Sequence, residues 1–147
     1  MWSASTRALF GFIAAAISVL TFHQGMIAFL HALGVAPFAA YQWTPMPPWG
    51  VPLVLDLSFW GGLYGLVFGL LLPHFTWPTW LCGLILGFIA ALVGMFVVAA
   101  IKGAPIAIGW HVWPILRSLL INGFWGLGVG LILPVMLPRQ VRRARHA

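Results

Sequence analysis

Acidic side chains are almost absent from this 147-residue chain, which has one Asp or Glu against seven Lys or Arg and a formal net charge of +6. Charged residues of both signs amount to 5% of the chain, whereas hydrophobic residues amount to 63%. A soluble domain usually carries roughly 25% charged residues. The composition therefore excludes an ordinary water-soluble domain and predicts an integral membrane protein.

The scarcity of carboxylates and thiols also narrows the possible chemistry. Asp56 is the one acidic residue, so catalysis by a pair of carboxylates is excluded, and neither a GxSxG nor an HExxH motif occurs in the chain. Cys82 is the one cysteine, which excludes an intrachain disulfide. We therefore expect that the protein is not an enzyme.

Four long apolar runs fill most of the chain, at 8–33, 51–72, 79–100 and 112–137. Each has the length of about 20 residues that an α-helix needs to cross a bilayer. The first run is too long for a signal peptide and no cleavage site follows closely, so we interpret it as a retained helix. The sequence predicts an all-α integral membrane protein: one membrane domain over 1–147, with a four-transmembrane-helix bundle and a basic tail at 138–147.

Basic residues predict how these helices are oriented. Arg7 precedes the first run and four arginines follow the fourth, and cytoplasmic flanks of membrane helices are enriched in Lys and Arg. Both termini are therefore expected in the cytoplasm, and the protein in a plasma membrane of the bacterial inner type. The tail can also contact anionic lipid heads, but it is short and without aromatics, so nucleic-acid binding is not expected. Its arginines are Arg139, Arg142, Arg143 and Arg145.

Parts of the sequence occur twice. The motif FWG at 59–61 in helix 2 returns at 124–126 in helix 4, and helices 1 and 3 share GFIAA at 11–15 and 87–91. The pattern predicts a duplicated helical hairpin whose copies have the same orientation, that is, a parallel repeat. Chance similarity is the alternative, because Gly, Ala, Leu and Phe are frequent in this chain.

Glycines recur at four-residue spacing in three of the predicted helices. Such faces let helix backbones approach closely in lipid, where the hydrophobic effect does not drive helices together. Two interpretations stay open: packing within one chain, or contacts between chains of a homo-oligomer. The glycines are Gly61, Gly65 and Gly69 in helix 2, Gly83 and Gly87 in helix 3, and Gly126 and Gly130 in helix 4.

Polar residues within the helices concentrate toward the outer side of the membrane. Asp56 and Arg117 enter helices 2 and 4 at similar depths, so we expect an ion pair, which offsets part of the cost of a membrane charge, about 2.5–3.5 kcal/mol at mid-membrane. The sequence predicts an outward-facing polar pocket around this pair; the alternative is a hydrogen-bonded clamp that fixes helix register. The residues are His23, Gln24, Asp56, Arg117 and Asn122, with Trp60 and Trp125 as pocket aromatics.

Three functions remain. The lack of polar residues in the inner half of the bundle favours a non-enzymatic accessory or assembly subunit of a membrane complex, with other subunits or further copies as partners. The alternative is a small-solute or proton transporter or channel, working as a homo-oligomer through Asp56, Arg117 and His23. A minor alternative is a b-type haem held by His23 and His111. His23 and His31 are about 12 Å apart along one helix, so we expect no metal site and predict no cofactor.

Overall fold

The structure is a computed structural model that describes residues 2–137. The predicted basic tail and its lipid-contacting arginines, Arg139, Arg142, Arg143 and Arg145, lie outside the described residues. The described chain contains four helices that are long and apolar enough to cross a membrane, which confirms the prediction of an all-α fold with four candidate spans. They are α1 (Ala4–Ala32), α2 (Leu53–His74), α3 (Thr79–Ile101) and α4 (Val112–Met136).

Local sequence signals set the helix ends. α1 begins at Ala4, ahead of the predicted position 8, because Ser3 Oγ accepts a hydrogen bond from the Thr6 amide at 3.1 Å and caps the first turn. α1 and α3 end near glycines with positive φ, Gly34 at 72° and Gly103 at 62°. In both places the next amide bonds to the carbonyl five residues back, which is the Schellman arrangement.

Successive helices run in opposite directions, so the bundle has two distinct ends. The connections 33–52 and 102–111 lie at one end, named the loop end, and residues 2 and 137 lie at the other, the terminal end. Within the first connection, β1 (Pro45–Met46) and β2 (Val51–Pro52) form a short antiparallel pair. The second connection contains a turn at Ile106–Trp110.

α1 and α2 pack as an antiparallel hairpin through glycines. A Cβ atom on Gly65 would overlap the carbonyl of Gly11, and one on Gly69 would overlap the carbonyl of Arg7. The missing side chains therefore allow the two backbones to touch, as small residues do in membrane helix pairs.

α3 and α4 form a second hairpin in the same way. Gly83 and Gly126 face each other's backbone, and Gly87 lies against the Asn122 carbonyl. A Cβ atom at any of these three glycines would collide with main-chain atoms that cannot move aside without separating the helices.

The last two predicted packing glycines are also used within the chain. Gly130 lies against Thr79, and Gly61 lies against the side chains of Val19 and Trp125. All seven glycines thus contact other parts of the same chain. Because these faces are occupied, they do not support a homo-oligomer.

The two hairpins meet along α1 and α4. Ala15, Val129 and Leu133 are 0% exposed there. Two hydrogen bonds cross the same contact: Ser18 Oγ donates to the Trp125 carbonyl at 2.6 Å, and Trp125 Nε1 donates to the Ala15 carbonyl at 3.1 Å. Apolar packing and paired polar groups together close the core between the hairpins.

α1 and α3 each contain a π-helical segment, at Val19–His23 and Val93–Val98. Both segments lie in the half of their helix nearer the loop end. A π turn inserts an extra residue into the helix, so side chains beyond it point in directions that an unbroken α-helix would not predict.

The two hairpins are alike in construction but not in register. The offset that aligns the two FWG motifs also aligns Gly65 with Gly130. The offset that aligns the two GFIAA motifs aligns Gly11 with Gly87. Gly65 packs on Gly11, whereas Gly130 packs on Thr79. The helices of the two hairpins therefore pair at different positions.

Candidate functional site

Asp56 lies on the outer face of α2, away from the packed hairpin. It is nine positions before Gly65, which at about 100° per residue places the two on opposite sides of the helix. Its Oδ1 accepts a hydrogen bond from Trp60 Nε1 at 3.2 Å, one turn further along. Phe59 and Trp60 beside it are 52% and 55% exposed. We name this surface, Asp56, Phe59, Trp60 and Val67, the α2 outer face.

Arg117 has different partners. Its Nη1 donates to the Val35 carbonyl at 2.9 Å, and its guanidinium carbon lies 5.5 Å from the centroid of the Phe38 ring. The side chain lines a groove of about 400 Å³ between the end of α1 and the start of α4. Within residues 2–137 the expected ion pair with Asp56 is not formed, because Asp56 faces away from the bundle while Arg117 faces the connection 33–52.

His23 and Gln24 form a polar contact at the end of the π segment of α1. Gln24 is buried; its Nε2 lies 3.2 Å from His23 Nδ1, and its Oε1 accepts a hydrogen bond from the Tyr41 amide at 2.7 Å. The Tyr41 hydroxyl donates to the Leu20 carbonyl at 2.8 Å, inside the same π segment. These bonds hold the connection 33–52 against α1.

The two predicted pocket aromatics have opposite surroundings. Trp60 is exposed on the α2 outer face, whereas Trp125 is 2% exposed and bonded to the Ala15 carbonyl. The Trp125 ring also meets Tyr64 edge-on, with ring centroids 6.2 Å apart. Trp125 therefore belongs to the core, because α4 turns this side toward α1.

The five predicted pocket residues are thus distributed over several places. Arg117 lines the groove beside α1, Asn122 lines a separate cleft beside α3, and neither cavity includes His23, Gln24 or Asp56. Of the five, the described structure joins only His23 and Gln24 by a hydrogen bond.

The separate cleft opens at the loop end of the second hairpin. It has a volume of about 550 Å³ and lies between the second half of α3, the connection 102–111 and the start of α4. We name it the α3–α4 cleft. Its α3 wall is apolar and is formed by Ala90, Ala91, Gly94, Met95, Val98 and Ala99.

Four polar residues line the rest of the α3–α4 cleft: Lys102 and His111 at the two ends of the connection, and Ser118 and Asn122 on neighbouring turns of α4. Asn122 Nδ2 donates to the Ser118 carbonyl at 2.9 Å. Asn122 Oδ1 and the Ser118 hydroxyl have no hydrogen-bond partner among residues 2–137. The cleft thus contains a cation and free polar groups beside an apolar wall.

Sequence reasoning missed the α3–α4 cleft, although two signals pointed to it. Lys102 is the one Lys or Arg in the two loop-end connections, and Gly94 falls outside the four-residue spacing of Gly83 and Gly87. A sequence pattern does not separate a glycine that packs from one that leaves space. In the structure, a Cβ atom on Gly94 would meet nothing within 4 Å.

The residues considered for a metal or haem do not converge in the described chain. Among residues 2–137 no group of three or more His, Cys, Asp or Glu side chains is placed to hold a metal ion. His111 lines the α3–α4 cleft and His23 does not. The two histidines considered for haem therefore do not share that cavity.

Comparisons of the chain with protein-family models, with curated proteins and with solved structures find no match. Two surfaces near the loop end carry the chemistry that the residues themselves offer. One is the α2 outer face with Asp56, and the other is the α3–α4 cleft with Lys102.

Proposed function

We propose that the protein is a non-enzymatic accessory or assembly subunit of a complex in the plasma membrane, and that it joins this complex through the α2 outer face. In this proposal α1 to α4 cross the bilayer, both termini are cytoplasmic and the loop end faces outward, as the distribution of Lys and Arg favours. Helix length supports it: the candidate spans have 22 to 29 residues, and about 20 suffice.

The position of Asp56 is the observation that carries the proposal. This carboxylate is in the first turn of α2, on the side opposite Gly65, which packs on α1, and the residue is partly buried. A charge exposed to lipid costs about 2.5–3.5 kcal/mol at mid-membrane and less near the interface. The Trp60 indole satisfies one acceptor site of a carboxylate that has several. A partner that covers this face removes the cost.

The chemistry of the α2 outer face indicates the kind of partner. Exposed Phe59 and Trp60 flank the carboxylate, and aromatic side chains are common anchors of protein interfaces. The complementary partner is a transmembrane helix of another subunit with a Lys or Arg at the depth of Asp56, because hydrogen bonds between opposite charges are the strong ones. Arg117 of a second copy suits this role less well, since its own chain already holds it.

Transport is the weaker alternative. A transporter that works through Asp56, Arg117 and His23 needs these residues along one route, but each has different neighbours. The core between α1 and α4 is filled by apolar side chains such as Val129 and Leu133. Neither observation supplies a path for an ion, which favours the accessory role.

A duplicated hairpin belongs to the same proposal. Its support is that α1 and α3, the first helix of each hairpin, both contain a π segment and both end at a Schellman glycine. In such a repeat the two copies share one orientation in the membrane.

Site-specific photocrosslinking in native membranes tests the accessory role. A photoreactive amino acid replaces Phe59 on the α2 outer face, and in a matched variant it replaces Leu92, which is 48% exposed on α3. We expect a crosslink from position 59 to another membrane polypeptide, and none to that polypeptide from position 92. Asp56→Lys should abolish the crosslink. Replacing the partner's basic residue at this depth with Asp should then restore it.

The same experiment has clear contrary outcomes. A crosslink from position 59 to a second copy of this chain alone would replace the accessory role with a homo-oligomer. Equal crosslinking from positions 59 and 92, or a crosslink that survives Asp56→Lys, would reject the α2 outer face as the interface.

A further inference from the structure

The α3–α4 cleft has the shape of a site for an amphiphilic molecule. Its apolar wall follows α3 down from the loop end, and Lys102 lies where that helix stops. Its volume of about 550 Å³ falls within the range of roughly 300–1,000 Å³ that is typical of small-molecule sites. An apolar chain and a polar head can therefore occupy the cleft together.

Gly94 keeps the apolar part of this cleft open. Gly83 and Gly87 lie against the backbone of α4, whereas the space beside Gly94 is empty. A glycine inside a helix is less stable than an alanine at the same position. Among residues 2–137 no helix packs closely on Gly94, so a helix contact does not explain why a glycine occupies this position. The cleft explains it, because a larger side chain here would fill the cleft.

The first hairpin covers the corresponding region, and the second does not. In the first, the connection 33–52 folds back and Tyr41 bonds to the π segment of α1. The connection 102–111 is half as long, and Gly94, Met95 and Val98 from the π segment of α3 line the cleft instead. Both hairpins have an irregular helix, but in the second it faces an open cavity.

A strained turn forms the outer wall of the cleft. Ala107 and Ile108 have φ of 49° and 53°, in the left-handed region that is unfavourable for L-residues. Ile108 and Gly109 line the cleft, and Trp110 packs edge-on against Phe96 of α3 with ring centroids 6.0 Å apart. Backbone strain of this kind is concentrated at ligand clamps, and here it places the wall over α3.

We propose that the α3–α4 cleft binds one anionic lipid, with the lipid phosphate at Lys102 and His111 and one acyl chain along Gly94. Lys102 supplies the positive charge, and Asp56, the one acidic residue of the chain, does not line the cleft. The free Ser118 hydroxyl can donate to a lipid ester carbonyl. This inference rests on the membrane location in the proposed function, and it is independent of the accessory role.

Native mass spectrometry of the purified full chain in detergent measures this binding. The probes are phosphatidylglycerol and phosphatidylcholine with identical acyl chains, and inorganic phosphate is the competitor. We expect one bound phosphatidylglycerol, preferred over phosphatidylcholine by about fivefold, the effect of roughly one basic residue near an anionic lipid head. In every sample the tail arginines are replaced by Gln, so that they do not bind lipid: Arg139, Arg142, Arg143 and Arg145.

Three variants separate the acyl-chain site from the head-group site. Gly94→Leu should weaken binding of both lipids by about tenfold, the effect of displacing roughly two methylene groups from an apolar site. Lys102→Gln should still bind lipid but lose the preference for phosphatidylglycerol. Gly25→Leu is the matched control, because Gly25 also has open space beside it and does not line the cleft; it should bind as the parent does.

Two outcomes would overturn the lipid site: equal lipid binding by Gly94→Leu and Gly25→Leu, or an unchanged preference in Lys102→Gln. Equal lipid binding by the two glycine variants together with a lost preference in Lys102→Gln would assign the cleft to a free anion. Release of the chain from membranes by alkaline carbonate would instead reject the membrane location. A chain that stays in the membrane but shows no lipid preference rejects the cleft alone.

Discussion

Ser18 and Trp125 fasten the two hairpins to each other. Ser18 Oγ donates to the Trp125 carbonyl, and the Trp125 indole donates to the Ala15 carbonyl, one turn before Ser18. Both side chains are buried, at 0% and 2% exposure. Hydrogen bonds between membrane helices average about 0.6 kcal/mol and reach about 1.7 kcal/mol, so this pair chiefly fixes the position of α1 against α4.

Trp125→Phe should destabilise the protein by about 1–3 kcal/mol, because it removes the bond to Ala15 and leaves a cavity in the core. Trp60→Phe is the matched control, since Trp60 is exposed and its one hydrogen bond within residues 2–137 is to Asp56; its effect should be within about 0.5 kcal/mol. Thermal unfolding in detergent measures both. Equal losses would contradict the different surroundings of the two tryptophans.

Gly65→Ala should separate α1 from α2, because the added Cβ overlaps the Gly11 carbonyl and main-chain atoms cannot swing aside. We expect a loss of about 3 kcal/mol or more. Gly25→Ala, with nothing near its added Cβ, should be neutral or stabilising by up to about 1 kcal/mol. Unfolding of the two variants by a denaturing detergent compares them, and similar behaviour would show that Gly65 is not a close-packing position.

Asp56→Asn should leave the stability of the isolated chain within about 0.5 kcal/mol of the parent, because its carboxylate does not pair with Arg117. Arg117→Gln should cost about 1 kcal/mol, since it loses its bond to the Val35 carbonyl and its contact with Phe38. Thermal unfolding of both single variants and of the double variant decides the point. Equal and non-additive losses would restore the ion pair expected from sequence.

Tyr41→Phe should loosen the connection 33–52 from α1, because the Leu20 carbonyl then loses its hydroxyl donor. We expect about 0.5–1.5 kcal/mol of local stability to be lost, seen as faster hydrogen exchange of the Tyr41 amide. Tyr64→Phe is the control, since no hydrogen bond from its hydroxyl occurs among residues 2–137. Unchanged exchange in Tyr41→Phe would mean that the hydroxyl does not hold the connection.

The four candidate spans could be predicted because their signal is strong and local. A long apolar run in a chain with 5% charged residues has to satisfy its own backbone hydrogen bonds, which a helix does. The caps at the helix ends were not predicted: the structure identifies Ser3 as an N-cap and Gly34 as a C-terminal glycine. The cap at Ser3 explains why α1 begins before the predicted position.

The candidate site could be predicted much less well. Asp56 and Arg117 enter equivalent helices at similar depths, which predicts an ion pair, but depth says nothing about the direction in which a side chain points. In soluble proteins the polar face of a helix marks its exposed side. In α2 both sides are apolar, so the pattern does not show that Asp56 lies opposite Gly65.

The sequence by itself determined the class of this protein: helices long enough to cross a membrane, glycines that let them touch, and one acid among many apolar residues. Only the tertiary structure decided which face of each helix is buried, that Trp125 is core while Trp60 is exposed, and that Gly94 borders a cleft. The physical reason is that lipid and protein interior are similarly apolar. Helix rotation and register therefore depend on contacts between segments far apart in the chain, such as Ser18 with Trp125.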